Sequence, residues 1–197
     1  MKKTFFIFLF SILFLSPLFC QNMLLFGTEH NIYNSPGFWT AGTGFNMKLI
    51  NDYFQNDLMF NGGQIRAKKE FVREIVNAEG EKQIIRSDTD EYTDKFLFTV
   101  KDNFYLAYDW KWIGLRAGVF ASIGIYDVPD FPHLWDFFFN TGGFGGVCFF
   151  PKSLFALAVD AGPGYSVAFR LGDGPQTRES GFSLVISLSL RINFDRF

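Results

Sequence analysis

Large apolar side chains recur at every second position along most of the chain, the period of a β-strand rather than the 3.6-residue period of a helix. The clearest run lies near the C-terminus, where Phe182, Leu184, Ile186, Leu188, Leu190, Ile192 and Phe194 alternate with Ser183, Val185, Ser187, Ser189, Arg191 and Asn193. A strand built this way has one greasy face and one largely polar face. Residues 182–194, at ~3.3 Å each and tilted near 45°, reach about 30 Å along a membrane normal, the thickness of a bilayer core. Ordinary globular strands run to only about 5–6 residues.

The same alternation marks three further strands. From 113 to 125 the odd positions are Ile113, Leu115, Ala117, Val119, Ala121, Ile123 and Ile125, set against Gly114, Arg116, Gly118, Phe120, Ser122 and Gly124. From 155 to 169 Phe155, Leu157, Val159, Tyr165, Val167 and Phe169 oppose Ala156, Ala158, Asp160, Gly162, Gly164 and Ser166. From 39 to 49 Trp39, Phe45, Met47 and Leu49 oppose Thr40, Gly42, Gly44, Asn46 and Lys48. The second face is mostly small or polar each time, which suits the crowded inside of a narrow barrel. Pro163 removes a ladder donor and predicts an edge or a bulge.

Three segments carry a weaker pattern. Residues 136–150 are rich in Phe and Gly on both faces, and Asn140 favours an inward even face. Residues 57–72 change character halfway, leaving their phase open. Residues 94–108 alternate well through Phe96, Phe98, Val100, Phe104, Leu106 and Tyr108, but Asp102 falls on the apolar face. A bulge at Asp102–Asn103 would turn it inward.

Connections alternate between short and long, as in barrels with tight turns at one end and loops at the other. Strands are expected near 181–195, 154–170, 136–150, 112–126, 92–108, 57–72 and 38–50. Parity adds an eighth near 23–32. The predicted fold is all-β, an eight-stranded antiparallel up-and-down transmembrane β-barrel over residues 21–197. Charges cluster in residues 68–91, where Phe71–Val76 and Lys82–Ile85 flank Gly80 and predict a β-hairpin beyond the barrel. A short helix from Lys68 to Val76 is the alternative, with Phe71 and Ile75 at helical spacing.

Composition sharpens this picture. Aromatic residues make up 20% of the 197, carried mainly by 28 Phe, more rings than a soluble domain of this size can hide. The formal net charge of −2 argues against a nucleic-acid partner, which would call for a basic excess. Met1-Lys2-Lys3, the apolar run Phe5–Leu15 and then Pro17 predict an export signal over residues 1–20. The run is short for a retained anchor. Phe19 stands before Cys20, where lipidation normally needs a small residue, so simple cleavage is expected. Cys148 then has no disulfide partner.

All four Trp (Trp39, Trp110, Trp112 and Trp135) fall at or beside proposed strand ends, where aromatics sit at a membrane–water boundary. With the signal, the alternating strands and the closing Ile192-Asn193-Phe194-Asp195-Arg196-Phe197, the chain resembles the small outer-membrane barrels of Gram-negative bacteria, of OmpA, OmpX and OmpW type. The resemblance covers the mature chain, is architectural and carries no diagnostic motif. Phe197 departs from it, standing one residue out of phase with Phe194. The resemblance implies a monomer in the cell outer membrane, with lipid and the barrel-assembly machinery as partners and porin-like members among its relatives. Short turns would face the periplasm and long loops the outside, where an extracellular ligand or small solute could be met.

Catalytic chemistry finds little footing. His30 has Glu29 beside it but no Ser before Ser35, and His133 has Asp130 and Asp136 but no Ser, so neither makes an acylhydrolase set. No Cys/His pair has zinc spacing. Gly142-Gly143-Phe144-Gly145-Gly146 lacks the following helix and Lys of a phosphate loop. No catalytic, cofactor or metal site is expected; a lipid-modifying enzyme of the outer membrane is the minor alternative. Lys48, Arg116, Asp160 and Arg191 all fall on inward faces. An unpaired buried charge is very costly, so Arg116 and Arg191 are expected to meet Asp160 in a salt-bridged plug. The alternative is a wet, cation-lined constriction that favours anions. The expected function is a non-enzymatic surface or scaffold protein, or a narrow pore. A soluble exported barrel of lipocalin type, binding a hydrophobic ligand, is the competing reading.

Overall fold

A computed structural model of the chain describes residues 21–31, 37–50, 53–76, 80, 82–126, 136–171 and 175–193. The expected signal, His133, Trp135 and the C-terminal residues 194–197 lie outside the described residues. Eight antiparallel strands close into one barrel: β1 (Gln21–Asn31), β2 (Gly37–Ile50), β3 (Phe54–Val76), β4 (Lys82–Asp109), β5 (Ile113–Tyr126), β6 (Asp136–Phe149), β7 (Phe155–Leu171) and β8 (Pro175–Asn193). Each pairs with its sequence neighbour, and β8 returns to β1 from Met23↔Asn193 to Asn31↔Val185. Closure leaves no free edge along the wall.

Period two in sequence becomes inside and outside in space. On β5, Arg116, Phe120, Ser122 and Tyr126 turn in, while Ile113, Leu115, Val119 and Ile123 are exposed. On β8, Ser183, Ser189 and Arg191 are buried and Phe182, Leu188 and Leu190 exposed. Even positions of β6 face inward, Asn140 among them, and on β3 the odd positions face inward from Gln55 to Ala67. The wall is thus apolar outside and largely polar within.

Two anticipated irregularities resolve differently. Pro163 sits mid-strand on β7, facing out; pairing with β6 lapses between Gly142↔Gly164 and Gly145↔Ala161, yet the register on either side is the same. Pro163 therefore costs local hydrogen bonds without a bulge. At Asp102 the expected bulge is absent, since β4 keeps unbroken register with both β3 and β5 there. Asp102 stays on the outer face, where Asn56 Nδ2 donates to its Oδ1. A side-chain amide, not a change of register, accommodates the carboxylate.

β3 and β4 outgrow their neighbours. β2 leaves β3 at Arg66, and β5 joins β4 only at Leu97. Beyond these points the two strands pair only with each other, up to Val76↔Lys82. Residues 68–76 are therefore strand, and the helix considered for them does not form. Gly80 at the tip has φ 81°, the left-handed region that glycine enters without penalty. The stretch from Arg66 to Val76, at ~3.3 Å per residue, carries this ribbon roughly 33 Å past the wall.

Candidate functional site

The site is the lumen, and inward side chains fill it in layers. At the long-loop end Phe38, Ile65, Leu97, Tyr126, Phe138 and Ala168 form a buried apolar cluster. Phe38 and Phe138 meet edge to face at 4.9 Å, and Ile65, Leu97 and Phe138 have 0% exposure. Below them Lys101 Nζ pairs with Glu29 Oε2, and the ammonium lies 4.8 Å from the centroid of the Phe120 ring.

The charged core occupies the short-turn half, because Asp57, Arg116 and Arg191 all lie within a few residues of short-turn strand ends. Arg116 Nε donates to Asp160 Oδ1 at 3.1 Å while its Nη2 bonds Oδ2, a two-pronged pair. Arg191 Nη2 pairs with Asp57 Oδ2, and Arg116 Nη1 stands 3.8 Å from that same oxygen. Tyr105 joins the two halves. Its hydroxyl donates to Asp57 Oδ1 at 2.9 Å and accepts from Arg191 Nη1 at 2.9 Å and Asn46 Nδ2 at 3.0 Å. Both guanidiniums lie against its ring, at 5.1 and 5.7 Å.

Lys101, Arg116 and Arg191 pair in this way with Glu29, Asp160 and Asp57, and Lys95, Asp136 and Glu179 are further charged residues of the described interior. All are buried. Charges matched in this way neutralise one another and escape the penalty of an isolated buried ion. A void bounded by Lys101, Asn103, Phe120, Phe144, Asp160 and Ser187 measures about 10 Å³, which is room for roughly one water.

Of the residues singled out from sequence, Arg116, Asp160 and Arg191 lie in this core. The pairing differs from expectation, since Arg191 meets Asp57 and not Asp160. Lys48 stands opposite Gln55 in the ladder, and its side chain lies outside what is described. Asp57, Tyr105, Glu29 and Lys101 are additions. Lys101 and Tyr105 sit on the face opposite Phe98, Phe104 and Tyr108, so the alternation of β4 already carried a signal for them. In sequence Glu29 stands out only as a neighbour of His30, and Asp57 falls in the stretch of open phase.

Trp39 is exposed at the long-loop end of β2, its Nε1 donating to Gln64 Oε1 at 3.2 Å. Trp110 and Trp112 are exposed at the opposite end, in the turn between β4 and β5. His30 is exposed, across the ladder from Trp39. Among the described residues no group of three or more His, Cys, Asp and Glu side chains is placed to hold a metal ion.

Fold and lumen together define the class: a closed, eight-stranded, antiparallel up-and-down β-barrel with an ion-paired polar interior. A scan of family models finds none that matches the chain, and comparison with curated proteins finds no matching relative.

Proposed function

We propose that the chain is an integral outer-membrane barrel, non-enzymatic, whose ion-paired core closes the lumen and makes it a surface or scaffold protein rather than an open pore. The sorting of side chains carries this reading. Leu188, Val119, Ile123, Phe96 and Phe182 stand exposed on the outer wall while Arg116, Arg191, Asp57 and Asp160 are buried inside, Asp102 being the carboxylate left on the outer face. Water would favour the reverse arrangement, and lipid favours this one. The outward run of β4 from Phe96 to Tyr108, at ~3.3 Å per residue and a 45° tilt, corresponds to roughly 28 Å of membrane normal. Exposed Trp39 at one end and Trp110 and Trp112 at the other suit the two boundary belts. A lipocalin-type barrel would need an open apolar lumen, whereas the apolar layer here packs on itself.

Fractionation tests the proposal. The native protein is expected to sediment with outer membranes, to resist carbonate extraction and to run anomalously on gels when unheated. Recovery as a soluble periplasmic monomer without detergent would replace it with the lipocalin-type reading.

A further inference from the structure

A hollow of about 610 Å³ lies at the short-turn end, lined by the outward residues Tyr53, Leu106, Tyr108, Leu115 and Ala117 and also by Ala107, Arg116 and Gly146. That volume lies within the range of small-molecule sites. The hollow exists because Ala117 lies opposite Leu106 in the ladder and Leu115 opposite Tyr108, so a small floor is walled by three large side chains. The surface it exposes is mostly apolar, chemistry for a chain of methylenes. Tyr53 and Tyr108 stack at 6.2 Å, and Trp110 packs edge-on against Tyr108 at 4.8 Å, giving the hollow an aromatic rim.

The turns at this end carry cations, the Lys111 ammonium lying 5.2 Å from the centroid of the Trp112 ring. The β4–β5 turn carries exposed Lys111, and the β6–β7 turn carries exposed Lys152. The two turns are fastened together, because Phe150 N donates to Trp112 O at 2.8 Å and the Trp112 and Phe150 rings meet edge to face at 5.9 Å. Asp109, the acidic residue of the first turn, points the other way, its Oδ1 lying over Gly114 on the inward face. An apolar trough, an aromatic rim and an exposed lysine on each of two joined turns match an amphiphile with an anionic head.

We propose that this face seats one anionic phospholipid, an acyl chain lying in the hollow and the phosphodiester meeting Lys111 and Lys152. The seat rests on the membrane reading above, since only a barrel in a bilayer presents this wall to phospholipid. It goes further by naming a lipid class and a place.

The test uses the purified protein in detergent with an equimolar mixture of dioleoyl phosphatidylglycerol and dioleoyl phosphatidylcholine, the retained lipid being counted by native mass spectrometry. The protein is expected to keep one phosphatidylglycerol in preference to phosphatidylcholine. Lys111→Gln with Lys152→Gln should erase the preference, with retention falling roughly fivefold per lysine. Ala117→Phe, which fills the hollow from outside the lumen, should lower retention of both lipids. Should Ala117→Phe fail to fold, the double lysine variant, confined to surface turns, still decides the matter. Equal retention of the two lipids, or a preference untouched by the lysine variant, would leave annular lipid only and overturn the seat. Flotation separates the two levels. A protein that floats with vesicles of either lipid but shows no preference loses the seat alone, while one that floats with neither loses the seat and the membrane reading together.

Discussion

Arg116 on β5 and Asp160 on β7 close their ion pair across the intervening strand, directly over Gly146. The ladder runs Arg116↔Gly146↔Asp160, so the two charged side chains flank a residue that has none. A Cβ at position 146 would fall 1.9 Å from Asp160 Oδ1 and 2.6 Å from Val159 O. The glycine is the clearance through which the pair forms.

Gly146→Ala should therefore loosen the core although the added group is a single methyl. Overpacking of this kind costs about 1–3 kcal/mol, read as a lower midpoint of thermal unfolding in detergent micelles. Gly143→Ala is the control, because a Cβ there would meet Gly118 O at 3.6 Å, an ordinary contact. Equal midpoints for the two variants would mean that position 146 imposes no such constraint.

Asp160→Ala removes one partner of a buried pair and leaves Asp57 to serve two guanidiniums. Such a break costs about 3–5 kcal/mol. The freed Arg116 should draw water and anions into the lumen. In planar bilayers the unmodified protein is expected to be silent or to show rare, small openings, and the variant to open more often with anion preference. A large, steady conductance in the unmodified protein, unchanged by Asp160→Ala, would show that the lumen is not plugged.

The couple Asn56–Asp102 on the outer wall allows a double-mutant cycle. Asp102 lies midway between Phe96 and Tyr108 on β4, so a carboxylate stripped of its amide there is badly placed. Asn56→Leu should destabilise by about 1–3 kcal/mol, and Asn56→Leu with Asp102→Leu should recover most of the loss. If the double variant is no better than the single one, the pair is not what makes Asp102 tolerable.

An epitope inserted after Gly80 should label on intact cells and leave the barrel assembled, since among the described residues the strands of the ribbon beyond Arg66 and Leu97 pair in the ladder only with each other. Labelling only after the outer membrane is opened would reverse the orientation.

The strands with small or polar inward positions, β2, β5, β7 and β8, could be phased from sequence because Gly, Ser and Asn alternate there with Leu, Val and Phe. β3 resisted for a physical reason. Its odd positions face inward from Gln55 to Ala67, but the chemistry of the two faces exchanges along it: Asp57 and Asn61 face inward in the polar core, while Ile65 and Ala67 face inward in the apolar layer and Gln64 and Arg66 turn out. Alternation with a constant sign fails when the lumen itself is layered. For the same reason Asp57 escaped notice, and with it the true partner of Arg191. The pairing depends on which strands are neighbours around the ring and at what stagger, and no single strand's pattern contains that.

The central claim is that the apolar face of each strand lies against lipid. A nitroxide scan of outward β8 positions in vesicles tests it most directly, with Cys148 replaced by Ser and labels placed in turn at Phe182, Leu184, Ile186, Leu188 and Leu190. Collision with dissolved oxygen should rise to a maximum near Ile186 and Leu188, and collision with a water-soluble nickel chelate should fall to a minimum at the same positions. A chelate that reaches Leu188 as readily as it reaches an exposed turn would place this face in water and contradict the account.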